Sequence, residues 1–222
     1  MSASPERPDD GGPGTSRVTT DRLAAFSDAV IAIVVTIMVL ELRPPEGDGL
    51  AALHDSARTF GAYVLSFLYL SLHWVNFHHL YAASDRLDAT IMWTNVHYLF
   101  WLSLIPFATA WMGDSGFSPA PTAVYGATLL LAGLAHRLLE WRVRAAAPTG
   151  GALDRQLRRD WKGWGSIAGY AVGVIASFWV PPVAVGIYLG IGIAWVVPDR
   201  RLRRAMRRGG GRSGGPGPDQ SS

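Results

Sequence analysis

Arg22, Ser27 and Asp28 have the types and spacing to do chemistry, because they lead straight into an almost purely apolar stretch at 29–42. An ionised carboxylate at membrane depth costs on the order of several kcal/mol unless it is paired, so such a group marks an anchor, a site or a pathway. Arg22 and Asp28 are six residues apart, about 240° around a helix, and cannot form the usual i,i+3 or i,i+4 pair. Each therefore needs partners on other elements or water at the interface. The second apolar segment offers His73, Asn76, His78 and His79, and the third offers Trp93, Asn95 and His97. Histidine and asparagine can hydrogen-bond an intramembrane carboxylate, and tryptophan can donate through its indole N–H. Two readings of Asp28 stay open: a satisfied interhelical anchor, or a proton- or ion-sensing group.

A second pattern follows Asp28. At about 100° per residue, Ala29, Ile33, Thr36 and Leu40 fall at about 0°, 40°, −20° and 20°, one narrow stripe with a single hydroxyl. Asp28 lies about 110° from the stripe centre and should face a neighbouring helix. Periodicity alone is compatible with a helix–helix packing face or with a pore lining.

The remaining reactive types carry less. Adjacent His78 and His79 point to different faces of a helix and make a poor chelate, so no metal site is expected from them or from His73, His97 and His136. Arg137 and Glu140 have i,i+3 spacing and read as an ion pair near one end of the fourth segment. Gly169-x-x-x-Gly173 and Gly186-x-x-x-Gly190 read as close helix-packing sites. No H-E-x-x-H or G-x-S-x-G string occurs, and there is no cysteine, so a hydrolytic enzyme, a thiol nucleophile and a disulfide framework find no support.

The elements that must position these groups follow from hydropathy. Of the 222 residues, 49% are hydrophobic and 17% charged, whereas a soluble domain carries about a quarter charged. Mean hydropathy is positive. Six apolar segments are predicted as membrane helices, at 21–42, 57–81, 89–112, 122–141, 164–180 and 183–197. Thr20 or Asp21 is the expected N-cap of the first, and Pro106 should kink the third. Pro181-Pro182 makes a tight turn between the last two segments. These are short enough for a re-entrant hairpin, but their near-absence of charge favours two spans.

Residues 1–16 and 209–222 read as disordered tails around a single six-helix membrane domain at 17–208. No cleavable signal peptide is visible in the first 16 residues. Arg and Lys cluster at the N-terminus, in the second-to-third and fourth-to-fifth connections, and in the run from Arg200 to Arg208. The alternation places both termini on the cytoplasmic side of a cell membrane. The C-terminal arginines speak to topology and anionic lipid rather than to nucleic acid.

Arg22-x-x-x-Phe26-Ser27-Asp28 resembles the R-x-x-x-F-S-D signature of the transmembrane protein 175 family, the lysosomal-type potassium channels. Trp74, His78-His79, Trp93-x-Asn95 and Pro106-Phe107-x-Thr109 extend the resemblance over the six-helix region. A single six-helix unit is similar to the prokaryotic branch. The resemblance implies a homotetramer in which four first helices line the pore. It implies Ile33 as the main gate, Leu40 further along the same face, Thr36 as a hydroxyl layer favouring potassium, and Ala29 facing the pore. Ala32 stands where some relatives carry a pore-adjacent serine. Arg22, Phe26, Ser27 and Asp28 are implied to network with later helices, including His78, His79, Trp93 and Asn95. No cofactor is implied beyond permeant K+, and the partners are other copies of the chain, lipid and monovalent cations. The expectation is an all-α potassium leak channel rather than an enzyme. The alternative is a proton-permeable or proton-coupled pathway through Asp28 and the histidines.

Overall fold

The computed structural model describes residues 13–45, 47, 54, 56–82, 88–146 and 161–196, with side chains for all of these except 13–20, 78, 79, 81, 82 and 161. Within them the chain forms seven helices: α1 (Pro13–Leu40), α2 (Ala57–Ala82), α3 (Ala89–Ser103), α4 (Ile105–Asp114), α5 (Pro119–Ala146), α6 (Trp161–Ala176) and α7 (Pro181–Val196). No strand occurs among the described residues. α3 and α4 make one broken span, so the six predicted spans are present in an all-helical, multi-pass membrane fold. The stretches at 21–40, 57–77 and 119–146 are each long and apolar enough to cross a bilayer unaided.

Local chemistry sets the boundaries. α1 begins at Pro13 rather than at 21, so Thr20 and Asp21 lie inside it and cap nothing. A proline is well placed at a first helical position, where its missing N–H is not needed. Residues 13–16 therefore belong to the helix and not to a tail; 1–12 and 209–222 lie outside the described residues, as do 83–87 and 147–160 in the cationic connections and the arginine run. α3 starts where the Asp88 side chain accepts the Ile91 N–H at 2.7 Å, an N-cap bond. The kink expected at Pro106 is a break two residues earlier, at Leu104. Pro106 cannot donate to the Leu102 carbonyl and its ring crowds that carbonyl, so α3 stops and α4 restarts with the proline in its first turn. Pro181 opens α7 one residue after the turn at 177–179. At 16 residues each, α6 and α7 are roughly 24 Å long.

Packing divides the bundle. α1 lies on one side against α2, α3 and α4, while α5 packs on α3, α4, α6 and α7, and α7 also reaches α2. Tyr69, Tyr98, Tyr125 and Tyr188 are fully buried, and their hydroxyls are bonded as burial requires. Tyr69 donates to the Tyr188 carbonyl, and Ser66 Oγ lies 3.0 Å from Tyr125 Oη. The Tyr188 ring fills the space that Gly126 and Gly173 leave, and Ile191 sits over Gly169. The first glycine pair thus permits close packing as expected. The second does not: a Cβ at Gly186 or Gly190 would meet no described atom.

Candidate functional site: the two faces of the first helix

α1 has one packed face and one bare face. Leu23, Ser27, Ile31, Val34 and Met38 are buried, spaced i, i+4, i+8, i+11 and i+15, within about 40° of Ser27 around the axis. Ala29, Ala32, Ile33, Thr36, Ile37 and Leu40 are exposed in the protomer, with Ile33 at 58% and Leu40 at 76%. The predicted stripe is centred about 150° from the packed one. It is therefore not a packing face within the chain.

Two hydrogen bonds hold the packed face in register. Ser27 is fully buried; its hydroxyl donates to the Leu23 carbonyl at 2.9 Å and accepts from Asn95 Nδ2 at 2.9 Å. That bond ties α1 to α3. Asn95 is also fully buried, and its Oδ1 has no hydrogen-bond partner among the described residues. The half-buried Asp28 accepts from Trp74 Nε1 at 2.9 Å, which ties α1 to α2. The carboxylate thus faces a neighbouring helix, as its angle around α1 predicts. Its donor is Trp74, one position past His73 and outside the set of polar candidates that spacing picked out. Indole pairing has no periodic signature, and only the family pattern pointed to that residue.

The other expected members of the network stand elsewhere. Arg22 and Phe26 are exposed, Phe26 at 53%. Trp93 is 74% exposed and lies about 200° around α3 from Asn95. His97 is exposed, and its Nε2 accepts from Trp101 Nε1 at 3.3 Å on its own helix. The side chains of His78 and His79 lie outside the described residues.

The bare face has its own chemistry. Thr36 Oγ1 donates to the Ala32 carbonyl at 2.8 Å. With its proton committed to the helix backbone, the hydroxyl presents oxygen lone pairs outward. An isoleucine sits one turn before it and a leucine one turn after it on the same line.

A second polar cluster, with no periodic signal beyond the Arg137–Glu140 spacing, lies away from α1. Glu140 pairs with Arg137 Nη1 at 2.8 Å and with His136 Nε2 at 3.3 Å, so the expected i,i+3 pair forms. Tyr98 Oη lies 3.0 Å from His73 Nδ1, and the His73 and His136 rings are 6.1 Å apart. No group of three or more metal-ligating side chains occurs among the described residues.

Among the described residues the protein is all-helical and multi-pass, with a first helix pinned along one face and bare along the other. The family model of the endosomal/lysosomal potassium channel TMEM175 matches residues 22–106, the region that holds both hydrogen bonds and the bare stripe. A potassium channel of Chryseobacterium sp. (strain P1-3) is 39% identical over 190 residues, covering 86% of this chain and 99% of that one. A potassium channel of Streptomyces collinus is 31% identical over 130 residues, covering 55% of this chain and 63% of its own. The chain belongs to the TMEM175 family, a family of ion channels and not of enzymes. The crystal structure of a lysosomal potassium-selective channel TMEM175 homolog from Chamaesiphon minutus has the same fold, with a TM-score of 0.72 over 81% of this chain and 97% of that chain at 23% identity.

Proposed function

We propose that the chain conducts potassium ions through a pore lined by the bare face of α1 in a homotetramer. The observation that carries this reading is the exposed line of Ala29, Ile33, Thr36 and Leu40 opposite a buried, hydrogen-bonded face. One helix cannot enclose a pore, and an apolar stripe with an outward hydroxyl gains a function when copies converge on it. Four Ile33 side chains would form a dry constriction that gates by dewetting, with Leu40 as a second apolar ring. Four Thr36 oxygens would replace part of the ion's lost hydration. The chain has no T-V-G-Y-G carbonyl filter, so selectivity rests on field strength at a hydroxyl ring and is modest. The bacterial relatives named as potassium channels support the choice of ion.

The proton-relay alternative has less support. Among the described residues Asp28 accepts from an indole N–H, which donates and cannot accept. A relay through that contact would stop at Trp74. The distribution of Arg and Lys supports cytoplasmic termini, and a bacterial plasma membrane suits a chain of this family branch.

Cation flux from liposomes carrying the purified protein tests the reading, with potassium and sodium gradients compared in the presence of a proton ionophore. Potassium should move faster than sodium. Movement of protons alone would transfer the assignment to the relay.

A further inference from the structure

The second polar cluster lines a groove of about 520 Å³, counting its open side, between α2, α5, α6 and α7. It shares no lining residue with α1, so it is separate from the proposed pore. The C-terminal halves of α2, α5 and α7 and the N-terminal half of α6 form it. That is the end of the bundle where Arg142, Arg144 and Lys162 stand.

The walls are amphiphilic. Leu72, Ile167, Tyr69 and Tyr170 supply apolar surface, while Asn76, His73, Arg137 and Glu140 supply polar groups. The Asn76 side chain lines the groove and makes no hydrogen bond to another described residue. Ser166 is already satisfied: it donates to the Lys162 carbonyl at 2.9 Å and accepts from Trp195 Nε1 at 2.8 Å. Within the groove the Arg137 charge is balanced by Glu140, and the described cations Arg142, Arg144 and Lys162 lie next to its lining residues along α5 and α6. The Arg137 guanidinium also lies 5.8 Å from the ring centroid of Trp164, which is largely exposed. Exposed tryptophan beside arginine is the signature of a membrane–water interface. An apolar wall that ends in a positively biased polar rim at headgroup depth complements a molecule with a tail and an anionic head.

We propose that this groove is a lateral binding site for an anionic phospholipid, its phosphate at Arg137 and Asn76 and the start of its acyl chain along Ile167 and Tyr170. Gly133 keeps that wall open. A Cβ there would meet Tyr170 Cε2 at 3.8 Å and Ile167 Cγ1 at 3.9 Å, which is ordinary contact. Alanine therefore fits the fold while occupying groove space.

Native mass spectrometry of the full chain in detergent tests this, titrating phosphatidylglycerol against phosphatidylcholine. The wild-type chain should retain phosphatidylglycerol preferentially. The double variant Arg137→Gln/Glu140→Gln removes cation and anion together and leaves no lone buried charge. It should need about ten-fold more phosphatidylglycerol for equal retention, the ratio expected for one lost charge-assisted contact. Gly133→Ala keeps every charge and should also weaken retention, and it carries the test if the double variant does not fold. Equal retention of both lipids by the wild type, unchanged retention in Gly133→Ala, or displacement of the lipid by inorganic phosphate alone would overturn the site. Retention is read without ion flux, so a failure of the conduction reading and a failure of this one are separately visible.

Discussion

The indole N–H of Trp74 donates to the carboxylate of Asp28 at 2.9 Å, so the acidic residue of the first helix is bound to the second helix and turned away from the bare stripe. A charge that would be costly facing lipid serves instead to set the rotation of α1. Together with the Ser27–Asn95 bond it fixes which residues the helix presents outward.

Trp74→Phe keeps the ring and removes the donor. Leaving a half-buried carboxylate without its partner should cost about 1–3 kcal/mol. The thermal midpoint in detergent should fall by several degrees. In an Asp28→Asn background the same change should cost less, because the charge-assisted part of the bond is already gone. Additive losses across that double-mutant cycle would show that the two residues are not coupled.

Ser27→Ala strands the Asn95 amide inside the bundle, where Oδ1 already lacks a partner among the described residues. The expected loss is again about 1–3 kcal/mol. Adding Asn95→Leu should recover part of it, because two apolar groups leave nothing unsatisfied. A double variant less stable than Ser27→Ala would point to a role for Asn95 beyond this bond.

On the bare face the substitutions should act on conduction and spare the fold, since the side chains touch little within the protomer. Ile33→Ala should raise conductance by widening an apolar constriction. Unchanged single-channel currents would remove Ile33 from the gate. Thr36→Val keeps shape and removes the oxygen, and the potassium-to-sodium flux ratio should fall. Thr36→Ser retains the oxygen and should keep the ratio.

The glycines give a paired test of packing. Gly126→Ala drives a methyl into the Tyr188 ring and hydroxyl. Overpacking of this kind should cost about 1–3 kcal/mol. Gly186→Ala meets no described atom of its own chain, so it should not lower the stability of the isolated protomer, which gains up to about 1 kcal/mol from helix propensity. If Gly186→Ala disturbs assembly alone, its face belongs to a contact between copies.

The sequence by itself determined the six apolar spans, a distortion of the third at Pro106 (though not that it is a full break at Leu104), the Arg137–Glu140 pair and the angular position of Asp28. Each of these follows from hydropathy, from a missing N–H or from the 3.6-residue period, all of which are local. Where α1 starts was not local: a polar segment with good capping residues at 20 and 21 continues a helix begun at Pro13. Only the tertiary structure decided that the Ala29–Leu40 stripe is bare and the Ser27 stripe buried, because both have helical periodicity and differ only in what packs against them. It also chose Trp74 over the nearby histidines, since the donor that reaches a carboxylate depends on the crossing of two helices and not on spacing within either. The groove at His73, Arg137 and Glu140 arises the same way, from four helices brought together across more than a hundred residues.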